Sequence, residues 1–122
     1  MKSAFAAVGQ AFRATERQRK VPAQIPILVR MWHEDGVWNV SAFDLPIVVF
    51  DEDLDRARQY FVEAACSHFM TLVDLGKAEK TAKKLIRIAK ERGFYEDRIK
   101  PRELVERIDY SPYDQSLCAA IG

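Results

Sequence analysis

The chain has 122 residues, of which 48% are hydrophobic and 30% are charged, and its formal net charge at pH 7 is +1. This composition predicts one domain with a buried core and excludes a wholly disordered chain. No apolar run approaches the roughly 20 residues that a membrane span requires, and no apolar segment with a cleavage site indicates a secretion signal. The two cysteines, Cys66 and Cys118, form no CxxC motif. We therefore expect a reduced, cytoplasmic chain in which Cys66 is a small buried thiol.

The charges are segregated along the sequence. Residues 1–24 carry five bases and one acid, residues 25–76 carry three bases and nine acids, and residues 77–107 carry eleven bases and six acids. One interpretation is an acidic module that faces a basic partner, with basic arms near nucleic acid. The other is that the basic flanks fold back and neutralise the acidic middle.

In chain order, the first element is a helix predicted over residues 3–20. Its apolar residues recur at helical spacing in the first half, whereas the second half is almost entirely polar and charged. The segment is therefore either a docked helix or a loose basic arm. Prolines at positions 22 and 26 mark a linker after it.

Strands follow the linker. Residues 26–33 and 37–43 alternate in polarity and are joined by Glu34-Asp35-Gly36, which predicts a β-hairpin because glycine tolerates positive φ. The proline of Asp44-Leu45-Pro46 cannot donate to a ladder and ends the second strand. The apolar run over residues 47–50 predicts a short third strand.

Two helices come next. Acids at 51–53 predict a helix start, because carboxylates cap free N–H groups and complement the helix dipole. An apolar stripe then predicts a helix over about 53–75, ended by Gly76, and a second helix with a basic outer side over about 77–92, ended by Gly93.

The sequence after Gly93 leaves two structures open. Residues 101–108 form either a short helix opened by Pro101 or a strand, and the tail over 111–122 is predicted to be largely irregular.

Together these elements predict an α+β domain. It has a small antiparallel three-stranded sheet, made of a β-hairpin plus a short strand and covered by one long helix, with extra helices on the N- and C-terminal sides. Its parts are a basic helix or arm over 1–24, a ββ-β-α module over 25–76, and a basic helix with an extension over 77–122. We expect them to form a single compact domain.

Residues 26–72 resemble the HicB-like antitoxin family. The matching features are the acidic glycine turn at 34–36, the aromatic second strand that opens with Val37-Trp38, the Asp44-Leu45-Pro46 break, and a helix rich in acids and alanines over 54–69. The resemblance implies a truncated RNase H-like fold. It also implies a role in a toxin–antitoxin system, in which the chain binds and blocks a small basic ribonuclease toxin. Many members of the family oligomerise, and many carry a DNA-binding segment.

Candidate catalytic groups are few. His33 and His68 do not stand at a metal-binding spacing, and adjacent acids in a hairpin turn are usually solvated turn formers. Asp44 and Asp51 are too few for chemistry that needs several carboxylates on metal ions. We therefore expect no catalytic residue, no metal site, no cofactor and no enzyme activity.

The hairpin is the predicted site of partner binding. Trp32 and Trp38 flank its turn and are expected to lie near each other on one face, where an exposed pair would form a contact patch. Alternatively, they pack beneath the helix over 77–92 or beneath the N-terminal helix. The predicted partner-binding residues are Trp32, Glu34, Asp35, Trp38 and Asp44.

A second candidate surface lies on the basic helix. Lys80, Lys83, Lys84 and Arg87 form a face that is suited to phosphate contacts, although an ordinary solvated helix face explains them equally well. No aromatic residues are interleaved there to stack on bases. DNA therefore stays a candidate partner.

The sequence therefore predicts a non-catalytic binding protein, either a HicB-like antitoxin or an antitoxin-derived regulator that covers a small basic partner. One alternative is a stand-alone oligomeric structural or interaction protein on the same scaffold. Another is a nucleic-acid-binding regulator that uses the basic flanks. A chain this short buries only about two-thirds of its unfolded surface, so we expect a homo-oligomer and no membrane partner.

Overall fold

The structure, a computed structural model, describes residues 21–112. The predicted helix over 3–20 and most of the predicted tail lie outside these residues. Within them the α+β class is confirmed. The elements in chain order are β1 (Ile25–Glu34), β2 (Val37–Ala42), β3 (Val48–Asp51), α1 (Leu54–Asp74), α2 (Ala78–Lys90), α3 (Arg92–Glu96) and β4 (Leu104–Tyr110).

The sheet has four strands in the order β3-β2-β1-β4, and each neighbouring pair is antiparallel. The prediction of three strands is therefore wrong by one. The added strand is β4, so of the two structures left open after Gly93 the strand is present, over Leu104–Tyr110. It forms because β2 occupies only one edge of β1, and β4 brings Ile108 and Tyr110 opposite Ile27 and Ile25 on the other edge.

The hairpin between β1 and β2 is confirmed. Its two turn residues, Asp35 and Gly36, both have positive φ, at 55° and 82°. This is the backbone that a two-residue hairpin turn requires, because its twist matches that of the flanking strands. The turn fixes the register in which Trp32 lies opposite Asn39 and His33 lies opposite Trp38.

Helix α1 begins and ends where the capping residues predict. The Asp53 side chain accepts hydrogen bonds from the backbone N–H groups of Asp55 and Arg56, which have no partner inside the helix. Gly76, with φ of 73°, lies just beyond its end. The apolar stripe is buried as expected through Ala57, Phe61, Ala65, Cys66, Phe69 and Leu72.

Helix α2 is shorter than predicted. It ends at Lys90, where the Glu91 N–H donates to the carbonyls of Arg87 and Ile88. Gly93 was expected to end this helix, but it lies inside the short helix α3 and does not adopt positive φ. A glycine marks a helix end only where the chain turns into the left-handed region, and the chain here continues helically instead.

The core is one apolar cluster. Alternate residues of β1 (Ile25, Ile27, Val29 and Met31) are almost fully buried in it together with the inward residues of α1 and with Ala78, Ala82 and Leu85 of α2. We call this side of the sheet the core face and the opposite side, with Leu28, Arg30 and Trp32, the second face.

Cys66 lies in the same cluster and is fully buried, and it is disulfide-bonded, so that it is not a free thiol. The expectation that Cys66 is a reduced thiol is therefore wrong, and it no longer supports a cytoplasmic location.

A bidentate ion pair ties α1 to the edge strand β4. Arg58 donates from Nε and Nη2 to the two carboxylate oxygens of Glu106, each at 2.9 Å. The hydrogen bond to Glu106 raises the pKa of Arg58. Each side chain is about one-third exposed, so solvent screens part of the attraction.

We expect a double-mutant cycle on Arg58→Gln and Glu106→Gln to give a coupling energy of about 1 kcal/mol in urea unfolding, the upper end for a partly exposed pair. The matched control is Arg107→Gln with Asp109→Gln, a more exposed pair on the second face, for which the coupling should approach zero. Equal coupling in the two cycles would contradict a structural role for the Arg58–Glu106 pair.

Tyr110 ends β4 and is fully buried, with its ring centroid 5.3 Å from that of Phe69. Its hydroxyl has no hydrogen-bond partner among the described residues. Burial raises the pKa of Tyr110 to about 12, from an ordinary value of 10. Because the folded pKa lies above the unfolded one, the resulting stability is complete below pH 10 and is lost as the pH rises towards 12.

Tyr110→Phe removes the ionising group together with a hydroxyl that has no hydrogen-bond partner among residues 21–112. The wild type should lose about 2 to 3 kcal/mol more than the variant as the pH rises through this interval, in urea unfolding followed by circular dichroism. At neutral pH the variant should be at least as stable as the wild type, since no hydrogen bond is broken. Parallel loss of stability in both proteins at alkaline pH would contradict the buried phenol.

Candidate functional site

The hairpin register separates the two tryptophans. Residues that lie opposite each other in neighbouring strands share a face, so His33 and Trp38 lie together on the core face, whereas Trp32 lies with Asn39 on the second face. The prediction that Trp32 and Trp38 share one face is therefore wrong. Because the two-residue turn pairs even-numbered residues of β1 with odd-numbered residues of β2, the even-numbered Trp32 of β1 and Trp38 of β2 lie on opposite faces.

Each tryptophan has its own surroundings. Trp38 is half-buried and packs against the core cluster, with its ring centroid 5.1 Å from that of His33. Trp32 is also half-buried. Its indole N–H donates to Glu34 at 3.3 Å, and the Arg30 guanidinium lies 4.8 Å from its ring centroid. Trp32 thus belongs to a polar patch on the second face, and Trp38 is mainly a packing residue.

Sequence reasoning missed the two most exposed apolar side chains of the sheet. Val48 and Phe50, on the edge strand β3, are 63% and 65% exposed. Their pairing with Ser41 and Asn39 places both on the second face, in line with Arg30 and Trp32. The alternation of side-chain direction along the strand could have shown this, because it places Val48 and Phe50 on the face opposite to that of Val49.

Acidic residues gather at one end of the sheet. Strands β1 and β3 run in the same direction, so the hairpin turn with Glu34 and Asp35 and the β3–α1 junction over 51–53 lie at the same end. We call this the acidic end. Asp44 follows β2 and therefore lies at the opposite end, where it pairs with Lys84 at 3.0 Å. Of the predicted partner-binding residues, Asp44 therefore lies apart from Glu34 and Asp35.

The junction at the acidic end is held by Asp51. Its Oδ2 accepts from the Asp53 backbone N–H at 2.7 Å and from Arg56 Nε at 2.9 Å. The backbone hydrogen bond, followed by the Arg56 contacts, lowers the pKa of Asp51 below 3.8. The Asp51 carboxylate thus fixes the start of α1. The next two acids, Glu52 and Asp53, are exposed and follow Phe50 closely in the chain.

The predicted phosphate-contacting residues do lie together. Lys80, Lys83, Lys84 and Arg87 are all exposed on the side of α2 that faces away from its buried residues. Two of them are paired, Lys83 with Glu79 at 3.1 Å and Lys84 with Asp44 at 3.0 Å. We call these four residues the basic face.

The two histidines lie in different elements, His33 in β1 and His68 in α1. His68 is half-buried, with its ring centroid 6.5 Å from that of Phe69. Among residues 21–112, no group of three or more His, Cys, Asp or Glu side chains is placed to hold a metal ion. The described arrangement offers surfaces for contact, one apolar with acids beside it and one basic.

Asp51→Asn tests the role assigned to the junction. Because the folded pKa of Asp51 is depressed, its contribution to stability is present above 3.8 and is lost as the pH falls through the folded value. The urea midpoint of the wild type should therefore fall more steeply on acidification than that of the variant. Asp35→Asn serves as the charge-matched control, and an Asp51→Asn effect no larger than the control's would contradict the assignment.

Comparison of the chain with protein-family models, with curated proteins and with solved structures gives no match. No helix in the described part of the chain is both long and apolar enough to cross a membrane.

Proposed function

We propose that this protein is a non-catalytic binding module, an antitoxin or antitoxin-derived regulator of the HicB-like type. It would bind a small basic protein and cover that protein's functional surface. The observation that carries the proposal is the exposure of Val48 and Phe50 side by side on an edge strand, next to the acidic end.

The edge strand offers two kinds of contact. As the outermost strand, β3 has one side free of ladder partners within the described sheet, and such an edge can accept an added strand from a partner. Single exposed apolar residues are common on protein surfaces. Here, however, Val48 and Phe50 share one face of one short strand, and Phe50 lies in the same cross-strand row as Trp32. Aromatic side chains in such positions are the usual anchors of protein interfaces.

The charges beside this strand favour a basic partner. Glu34 and Asp35 in the hairpin turn and Glu52 and Asp53 at the start of α1 are all exposed at the acidic end. Acids around an apolar anchor raise the rate of encounter with a positively charged protein and disfavour acidic ones. A small basic ribonuclease, the partner that the resemblance implies, has the required charge. Binding by occlusion needs no reactive group.

The proposal predicts that a small basic protein copurifies with the tagged chain from its native host, and that Phe50→Ser weakens the purified complex at least tenfold in isothermal titration calorimetry. An interface anchor of this kind contributes more than about 1.4 kcal/mol. The melting temperature of the free variant should change little, because the Phe50 side chain is 65% exposed.

The matched control is Phe94→Ser, which removes a 52% exposed phenylalanine from α3 and should leave binding unchanged. If the partner is acidic, or if Phe50→Ser binds as tightly as the control, the proposal is wrong. If instead the wild type is an oligomer with no bound protein and Phe50→Ser makes it monomeric in light scattering, the stand-alone oligomer explains the exposed strand.

A further inference from the structure

Beyond the proposed function, we infer that the basic face of α2 binds the phosphate backbone of nucleic acid. The inference starts from charge. Between residues 77 and 90 the sequence has six bases and one acid, Glu79. No other element that the structure describes concentrates one sign of charge to this degree, since α1 and β4 each mix acids with bases.

The helix sorts these charges onto one side. Ala78, Ala82, Leu85 and Ile88 are buried, so α2 is anchored to the protein through its apolar side. At about 100° per residue, Lys80, Lys83, Lys84 and Arg87 fall within a single arc on the opposite side. From Lys80 to Arg87 the stripe is about 10 Å long at 1.5 Å per residue. Over this length duplex DNA presents about six phosphates on its two strands, enough for one contact from each of the four side chains.

The charges on this stripe are accessible. Lys80 and Arg87 form no ion pair with the described residues, and the pairs of Lys83 and Lys84 are partly exposed, with the lysine side chains 72% and 50% accessible. Exposed pairs of this kind contribute little stability and can be exchanged for contacts with phosphate oxygens.

The composition of the face also decides what it recognises. The four positions carry only lysine and arginine, with no aromatic side chain to stack on bases and no asparagine or glutamine to read adenine. Lysine and arginine can also read guanine, but most of their contacts with DNA are to phosphates. Binding is therefore expected to depend on the backbone, with little sequence preference and a steep dependence on salt. This surface is built from α2, whereas the proposed protein-docking surface is built from β3 and the acidic end.

The test uses the full-length chain and a fluorescein-labelled DNA duplex of mixed sequence, about 20 base pairs long, in fluorescence anisotropy. Four contacts predict a slope of log K against log salt of about −3 to −4, so that affinity falls roughly 100-fold from about 50 to 200 mM salt. The double variant Lys80→Gln/Arg87→Gln should bind at least tenfold more weakly at the lower salt concentration, with a slope reduced by about two. Its circular dichroism spectrum and melting temperature should match those of the wild type, because both side chains are exposed.

The matched control, Arg102→Gln/Arg107→Gln, removes two exposed positive charges outside α2 and should retain most of the affinity and the salt slope. Equal weakening in the two double variants would overturn the inference, because attraction would then depend on net charge alone. So would the absence of duplex binding, or binding to phosphatidylserine vesicles in place of DNA. None of these outcomes bears on partner binding at Phe50, so this inference and the proposed function fail independently.

Discussion

The strand β1 is the constraint on which the rest of the structure depends. It is the longest strand, it pairs with β2 on one edge and with β4 on the other, and its core-side residues are almost fully buried. Those residues occupy the face to which α1 and α2 contribute their apolar sides. With β1 fixed in this way, the hairpin turn is directed to one end of the sheet, and β3 is left as an open edge with one face in solvent.

This arrangement separates two surfaces of opposite character. The acidic end and the exposed side chains of β3 lie beside the start of α1, whereas the basic face lies on α2, which follows at the other end of the long helix. The charge segregation of the sequence is therefore kept in the folded domain, where only the Asp44–Lys84 pair joins an acid of the sheet module to the basic face. Among the described residues the basic flanks neutralise the acidic middle only at this contact, so the two proposed partners would meet surfaces of opposite charge at different places.

Local signals predicted most of the elements, and non-local pairing accounts for the missing fourth strand. The error at the end of α2 is local, and so is the register of the predicted hairpin. Asp-Gly chemistry, the acids before α1 and the glycine after it act within a few residues, so the hairpin and the long helix follow from the sequence. The strand β4 needs the free edge of β1, which no local pattern reveals, and its LVERIDY sequence fits two structures. The separation of Trp32 from Trp38 and of Asp44 from the turn depends on the pairing register and on strand direction. The exposure of Phe50 depends on how many strands flank β3.

The antiparallel pairing of β1 with β4 joins Ile25 to Tyr110, at opposite ends of the described chain. Every other strand pair is made by neighbours in sequence. The ribosome synthesises the chain from its N-terminal end. One edge of β1 therefore stays unpaired until β4 has been synthesised. Loop closure of this length slows folding, and an unpaired strand edge invites aggregation in the interval. The protein is thus expected to be most prone to aggregation during synthesis in the interval before β4 pairs with β1.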